Sequence, residues 1–313
     1  MPSKPLIDIV VNAYGKPLMT AVAISSLLKH SGTWINKIYL IEEKKQPYPS
    51  DFIFITNHFK GKIIHYNPRF YFGLRQARRS LLWYKPYRFS IRYQYAFEKS
   101  KSPYLFVMHN DMLFHGDILG EYLTHIKEKS YAGVGPIGMC WNCSAFYAKR
   151  CTPERYEHFR PSIDEFNELN QTYNPPRKSV YHVYQDMNND PWPLPECRLN
   201  EWSALIDLKQ TSAHHYPKSK GVMFGQMHLD IATQWFHELN RKGLKFKHVE
   251  LGSLATHVWT GLEGEVNSGF STQNDQILYK RAEDMSYEIL INHFGFTPSE
   301  LRKVASVKMF IIE

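Results

Sequence analysis

Long apolar runs are missing from this chain of 313 residues, and none approaches the roughly 20 residues that cross a bilayer. Its first residues, Met1-Pro2-Ser3-Lys4-Pro5-Leu6-Ile7-Asp8, lack the apolar stretch of a secretion signal, so a cytoplasmic protein is expected. Low-complexity runs and internal repeats are also missing, which excludes a disordered chain and a solenoid. Signatures of zinc fingers and RNA-binding modules are absent, so nucleic acid ranks last among partners. Cysteine is scarce: Cys140, Cys143, Cys151 and Cys197 are the four, and Cys140-x-x-Cys143 has no second pair at metal spacing. Buried thiols are expected there. Asn142-Cys143-Ser144 and Asn170-Gln171-Thr172 match the glycosylation pattern, which means nothing without secretion.

What is plentiful is aromatic and basic. Tyr, Phe and Trp number 20, 19 and 7, or 15% of the chain, and such side chains suit sugar, nucleobase or membrane-interface contacts as well as core packing. A net charge of +8 favours an anionic partner such as a nucleotide diphosphate or a phospholipid surface. At this length one large domain, or one with an appended subdomain, can bury a sizeable core.

Apolar runs alternate with helical patterns from the start. Leu6 to Val11 reads as a strand leaving through Asn12-Ala13-Tyr14-Gly15, and Pro17 opens a helix that Gly32 ends. Strands follow at Lys37–Glu43 and Lys62–Tyr66. From Arg69 to Lys99 runs a basic, aromatic segment, expected to be a loop and one long helix. Tyr104 to Phe114 then reads as a buried parallel strand carrying His109, Asn110 and Asp111, where open α/β sheets collect ligands. Four such alternations argue for a mainly parallel sheet with helices on both faces. Residues 150–220 are Pro-rich and weakly periodic and read as an insertion, with Trp192 and Trp202 either stacking on a sugar or filling a satellite core. A helix ending at Arg241 with Gly243 as its cap, a strand at Lys245–Val249 and a helical C-terminal part complete the chain. Thr297-Pro298-Ser299-Glu300 is a good helix start.

Taken together, Ile9-Val10-Val11-Asn12-Ala13-Tyr14-Gly15, the acids Glu42 and Glu43, Asn67-Pro68 with Ala77-Arg78-Arg79, His109-Asn110-Asp111, and Gln226 to Asp230 followed by Gly243-Leu244-Lys245 resemble a GT-A fold glycosyltransferase, most like family 2. The likeness covers roughly residues 5–260. It implies a Rossmann-like mainly parallel sheet with an irregular acceptor-side insertion and a helical C-terminus. Residues 1–150 would form the nucleotide-sugar-binding half, 151–260 the acceptor and catalytic part, and 261–313 a helical segment.

The resemblance also implies an activity: transfer of a sugar from a nucleotide-sugar donor to a hydroxyl of a glycan or lipid-linked glycan, with inversion, in cell-surface polysaccharide synthesis. Asn12, Ala13, Tyr14, Glu42, Asn67, Arg79, His109 and Asn110 would contact the donor. Asp111 and His257 would hold Mn2+ or Mg2+, because a departing nucleoside diphosphate builds charge that a cation offsets. Asp230 would be the general base, with His228 in reserve. His109 stands where the family's Asp-x-Asp motif has its first acid, which also motivates another reading: a catalytically silent module binding glycan or protein. A nucleotidyltransferase would want a Gly-rich, Lys-bearing loop after the first strand, and Asn12-Ala13-Tyr14-Gly15-Lys16 is a poor one. The segment Arg75 to Arg92, interleaved with Trp83, Tyr84, Tyr87 and Phe89, reads either as a solvated basic face or as a surface for a diphosphate or an anionic membrane.

Overall fold

The computed structural model describes residues 5–73, 77–173, 190–219, 221–224, 231–262, 275–301 and 304. In chain order the strands are β1 (Ile7–Ala13), β2 (Ile35–Glu42), β3 (Ile63–Tyr66), β4 (Tyr104–Met108), β5 (Met112–Phe114), β6 (Gly133–Gly135), β7 (Ser203–Asp207), β8 (Phe246–His248) and β9 (Ala255–His257). Helix α1 spans Pro17–Ser31, and the longest later helices are Ile118–Lys129, Ile163–Thr172, Thr233–Arg241 and Gln276–Phe294. The chain forms two compact units. One contains the residues up to Tyr71, Tyr95–Glu121 and those from Leu251 onward; the other contains Phe72–Gln94 and Tyr122–Glu250.

In the first unit β3, β2, β1 and β4 lie side by side, all parallel. The β-branched runs of β1 and β2 explain this: strands buried on both faces read as unbroken apolar stretches. Ile9, Val10, Leu40, Phe106 and Val107 are fully buried, each contributing about 1.5–3 kcal/mol relative to exposure. Helix α1 is buried along most of its length and packs against Gln276–Phe294. The mainly parallel sheet, its helical flanks and the helical C-terminal part all agree with expectation. So does the last helix start, where Thr297 and Glu300 exchange side chain to backbone bonds of 2.8 and 3.3 Å as a capping box.

Three expectations need correction. The stretch Tyr104 to Phe114 is two strands, because the polar turn at His109-Asn110-Asp111 redirects the chain and β5 pairs antiparallel with β9. The basic segment before it holds no long helix in its described residues: one short helix spans Lys85–Arg88, with Pro86 in its first turn barring extension backward, and another spans Gln94–Lys99. The supposed insertion contributes a sheet strand, β7, antiparallel to β6, while β8 runs parallel on the other side of β6.

The second unit spends its aromatic residues on its core. Trp235 stacks on Phe224 at 4.9 Å and meets Phe246 edge-on at 5.5 Å, and Phe236 packs on Phe246 at 4.9 Å. His215 is buried among them. Its Nδ1–H donates to the Thr211 carbonyl at 2.6 Å and its Nε2 accepts the Trp235 indole N–H, a neutral tautomer with both nitrogens satisfied. Burial pushes its pKa down from 6.5 to about 4. Above pH 6.5 both the folded and unfolded imidazole are neutral; below it the unfolded form takes up a proton that the folded form resists until about 4. Unfolding free energy measured in urea should therefore be about 2 kcal/mol smaller at pH 5 than at pH 7 from this group, and His215→Gln should flatten that slope.

Candidate metal centre

Strand order places the site. With β2 and β4 on opposite sides of β1, the chain leaves β1 and β4 toward a switch point, where α/β sheets bind ligands. Val11 lies opposite Met108, so Asn12–Lys16 and His109–Asp111 leave the sheet side by side. The β5–β9 pairing adds a third element: Met112 faces His257, and the Val258 N–H donates to the Asp111 carbonyl at 3.0 Å. Val258 adopts φ 53°, a costly conformation for a β-branched residue, directly after the histidine it positions.

The result is a cluster of His109, Asp111 and His257 whose ligand atoms all lie within 4.8 Å of one another. Asp111 Oδ1 is 3.4 Å from His257 Nε2 and 3.8 Å from His109 Nδ1, and its Oδ2 is 3.9 Å from the Lys16 ammonium. Burial alone would raise the Asp111 carboxyl, but His257, Lys16 and His109 facing it hold it well below the usual carboxylate range. Oδ1 is buried and accepts no well-formed hydrogen bond among the described residues. A buried, ionised oxygen flanked by two imidazoles fits a divalent cation.

Lys16 enters the motif reading only as part of a poor Lys-bearing loop. It is fully buried, and Gly15 and Lys16 both turn left-handed, at φ 69° and 57°, just before Pro17 starts α1. A side chain at Gly15 would meet Pro47 Cγ at 2.7 Å, so glycine is required there. A lysine between the end of β1 and a helix-opening proline is the only sequence signal for it. The backbone N–H groups of this turn are all engaged: Gly15 donates to Gln46 Oε1, Lys16 to the Tyr279 hydroxyl at 2.7 Å, and Leu18 and Met19 to the Glu283 carboxylate at 3.0 and 3.1 Å. The start of α1 thus has its donors satisfied from within, and positive charge for a ligand comes from side chains.

The other expected donor contacts are spread out. Ala13 pairs with Glu42 across β1 and β2, and Asn12 donates to Glu43 at 3.0 Å, while Glu42 itself bonds His65 at 2.7 Å. Asn12 Oδ1 is buried without a partner among the described residues. Tyr14 stacks on Tyr71 with centroids 6.1 Å apart. Asn110 donates to the Gly15 carbonyl at 3.2 Å and to Thr20 at 3.1 Å, which ties the two loops together. Asn67 is exposed after β3, and Arg79 belongs to the second unit, where it pairs with Glu238 at 3.7 Å. Asp230, His228 and Arg75 lie outside the described residues.

No family model matches the sequence, and no curated protein matches it. Among solved structures, the fold is similar to the mannosyltransferase PcManGT from Pyrobaculum calidifontis in complex with GDP-Man and Mn2+, at 6% identity and a TM-score of 0.45 over 99% of this chain and 70% of that one. Glucosyl-3-phosphoglycerate synthase from Mycobacterium tuberculosis, in complex with Mn2+, UDP and phosphoglyceric acid, gives 9% identity and 0.42 over 89% and 78%. Residues 1–349 of TarS from S. aureus give 9% and 0.45 over 97% and 70%.

Proposed function

We propose that the protein is a cation-assisted glycosyltransferase that moves a sugar from a nucleotide-sugar donor to a hydroxyl of a glycan or lipid-linked glycan, with inversion, in cell-surface polysaccharide synthesis. The observation that carries this reading is the His109, Asp111 and His257 cluster at the carboxyl ends of β1 and β4, beside the buried Lys16.

His109, Asp111 and His257 would hold the cation, whose charge, when bound, offsets that developing on the departing diphosphate. Lys16 adds a fixed positive charge, and with the α1 donors engaged it is the protein's own contribution there. Asn12, with its unmet amide oxygen, Ala13, Tyr14 and Glu42 would contact the nucleotide, and Asn67, Arg79 and Asn110 remain donor contacts proposed from the sequence. Asp230 would take the acceptor hydroxyl proton as that oxygen attacks the anomeric carbon and the bond to the diphosphate breaks. Among the described residues no helix is long and apolar enough to cross a membrane. We place the enzyme peripherally on the inner face, with Trp83, 69% exposed, beside the exposed Lys85 as the contact.

Thermal shift with uridine, guanosine and cytidine diphosphates tests the reading. One nucleotide at a hundred times its Kd should add about 3 kcal/mol, a rise of several degrees, and Mn2+ should enhance it more than Mg2+. No shift with any nucleotide would favour the silent binding module. Co-sedimentation with liposomes should prefer anionic lipid, and equal recovery with neutral lipid would remove the membrane contact.

A further inference from the structure

The second unit contains a cavity of about 680 Å³ that the proposed chemistry does not use. Its walls are the turn at Glu157–Arg160, the segment from Asp190 to Trp192, and the chain from Asn240 to Lys245 that ends the helix Thr233–Arg241 and leads to β8. Such a volume suits a ligand larger than a lone phosphate, within the range of roughly 300–1,000 Å³ usual for small-molecule sites.

The cationic wall is built in. Trp192 donates its indole N–H to the Tyr156 carbonyl at 2.9 Å and its backbone N–H to Asp190 Oδ1 at 3.1 Å. Arg160 lies over the ring so fixed, its guanidinium carbon 3.7 Å from the ring centroid, and its Nε–H donates to the Glu157 carbonyl at 3.4 Å. A guanidinium stacked in this way loses little further freedom when its remaining N–H groups grip an oxyanion. Asp190 does not oppose that: its Oδ2 pairs with Arg241. Arg160 and Lys245 have no ion-pair partner among the described residues, leaving two cations against the single acid Glu157, whose carboxylate accepts the Tyr156 hydroxyl at 3.4 Å.

We propose that this cavity binds an anionic saccharide, its carboxylate or phosphate taken by Arg160 and Lys245 and its hydroxyls by Glu157, His158 and Asn240. Arg160 already covers a face of Trp192, so a flat aromatic ligand would lose the stacking surface it needs, while a charged sugar uses the guanidinium edge. As the subsite for an acidic acceptor this inference rests on the transferase reading; as a binding site it stands without it.

Isothermal titration of the full chain, free of nucleotide and manganese, tests the proposal with glucuronic acid, glucose 6-phosphate, glucose and inorganic phosphate. At least one charged sugar should bind, with glucose and inorganic phosphate at least roughly tenfold weaker, and the order of the two charged sugars tells carboxylate from phosphate recognition. R160A and, separately, K245A should each weaken the charged sugar by about tenfold while the protein stays folded, K245A with an unchanged Tm and R160A with a small drop from the lost Trp192 stacking. Glucose binding as tightly as the charged sugars, no binding of either charged sugar, or full affinity in both variants would overturn it. Phosphate binding as tightly as the sugar phosphate would overturn the saccharide part. Nucleotide thermal shift reports on the first unit separately, so a failure here leaves the transferase reading standing.

Discussion

Asp111→Asn is expected to lower sugar transfer by about 10³-fold and to abolish Mn2+ binding seen by electron paramagnetic resonance, with the protein still folded. The amide keeps the shape of the buried side chain and removes the charge that two imidazoles and Lys16 surround. Asp111→Ala is the poorer probe. Both variants leave the Lys16 ammonium without the carboxylate 3.9 Å away, but alanine also removes the oxygen that the amide keeps facing it and opens a cavity, so lost activity would mix further with lost stability. His257→Ala should also abolish Mn2+ binding, and combining it with Asp111→Asn should add little, because ligands of one cation act as a unit. Transfer at the native rate in Asp111→Asn, with Mn2+ still bound, would sink the assignment of the centre.

The parts of this centre were unequally legible. The strands β1 to β4 could be read because buried parallel strands are continuous apolar runs, and His109-Asn110-Asp111 could be read because polar residues interrupt such a run at its ligand-bearing end. The arrival of His257 needed more: it depends on β5 splitting from β4 to pair with β9, and a three-residue strand gives no periodicity to detect. β7 was hidden for a related reason, five residues set in Pro-rich surroundings. Lys16 matters through a backbone conformation, the paired left-handed turn at Gly15 and Lys16, and a lysine placed before a helix-opening proline does not reveal that turn. Of the two acids ending β2, Glu42 drew attention by its position, yet it is Glu43 that receives the Asn12 amide, a choice made by the alternation of side chains along the extended chain. The helical C-terminal part was legible as helix but not as a support for the site, since its contacts join residues more than 260 positions apart.

That support carries the second large effect. Glu283→Leu should destabilise the protein by about 3 kcal/mol in urea denaturation, and Glu283→Gln by roughly half as much. Helix α1 has no acid in its first turn and no side-chain cap at Lys16, so its sequence provides nothing to satisfy its first N–H groups or to complement its dipole. Glu283, buried on the helix Gln276–Phe294, supplies both from a distance: each carboxylate oxygen accepts one of the Leu18 and Met19 N–H groups, while Tyr279 one turn earlier accepts that of Lys16. Leucine removes both acceptors and leaves two buried donors unmet, whereas glutamine keeps one acceptor and loses the charge. A residue that merely filled space would make leucine harmless, so a neutral Glu283→Leu would overturn this account. The same contacts fix the turn that carries Lys16 toward Asp111, so affinity for a nucleoside diphosphate should fall in Glu283→Leu even where the protein remains folded. The C-terminal helix thereby takes the helix N-terminus out of anion binding, and the charge of a diphosphate would fall to Lys16 and to the cation that His109, Asp111 and His257 would hold.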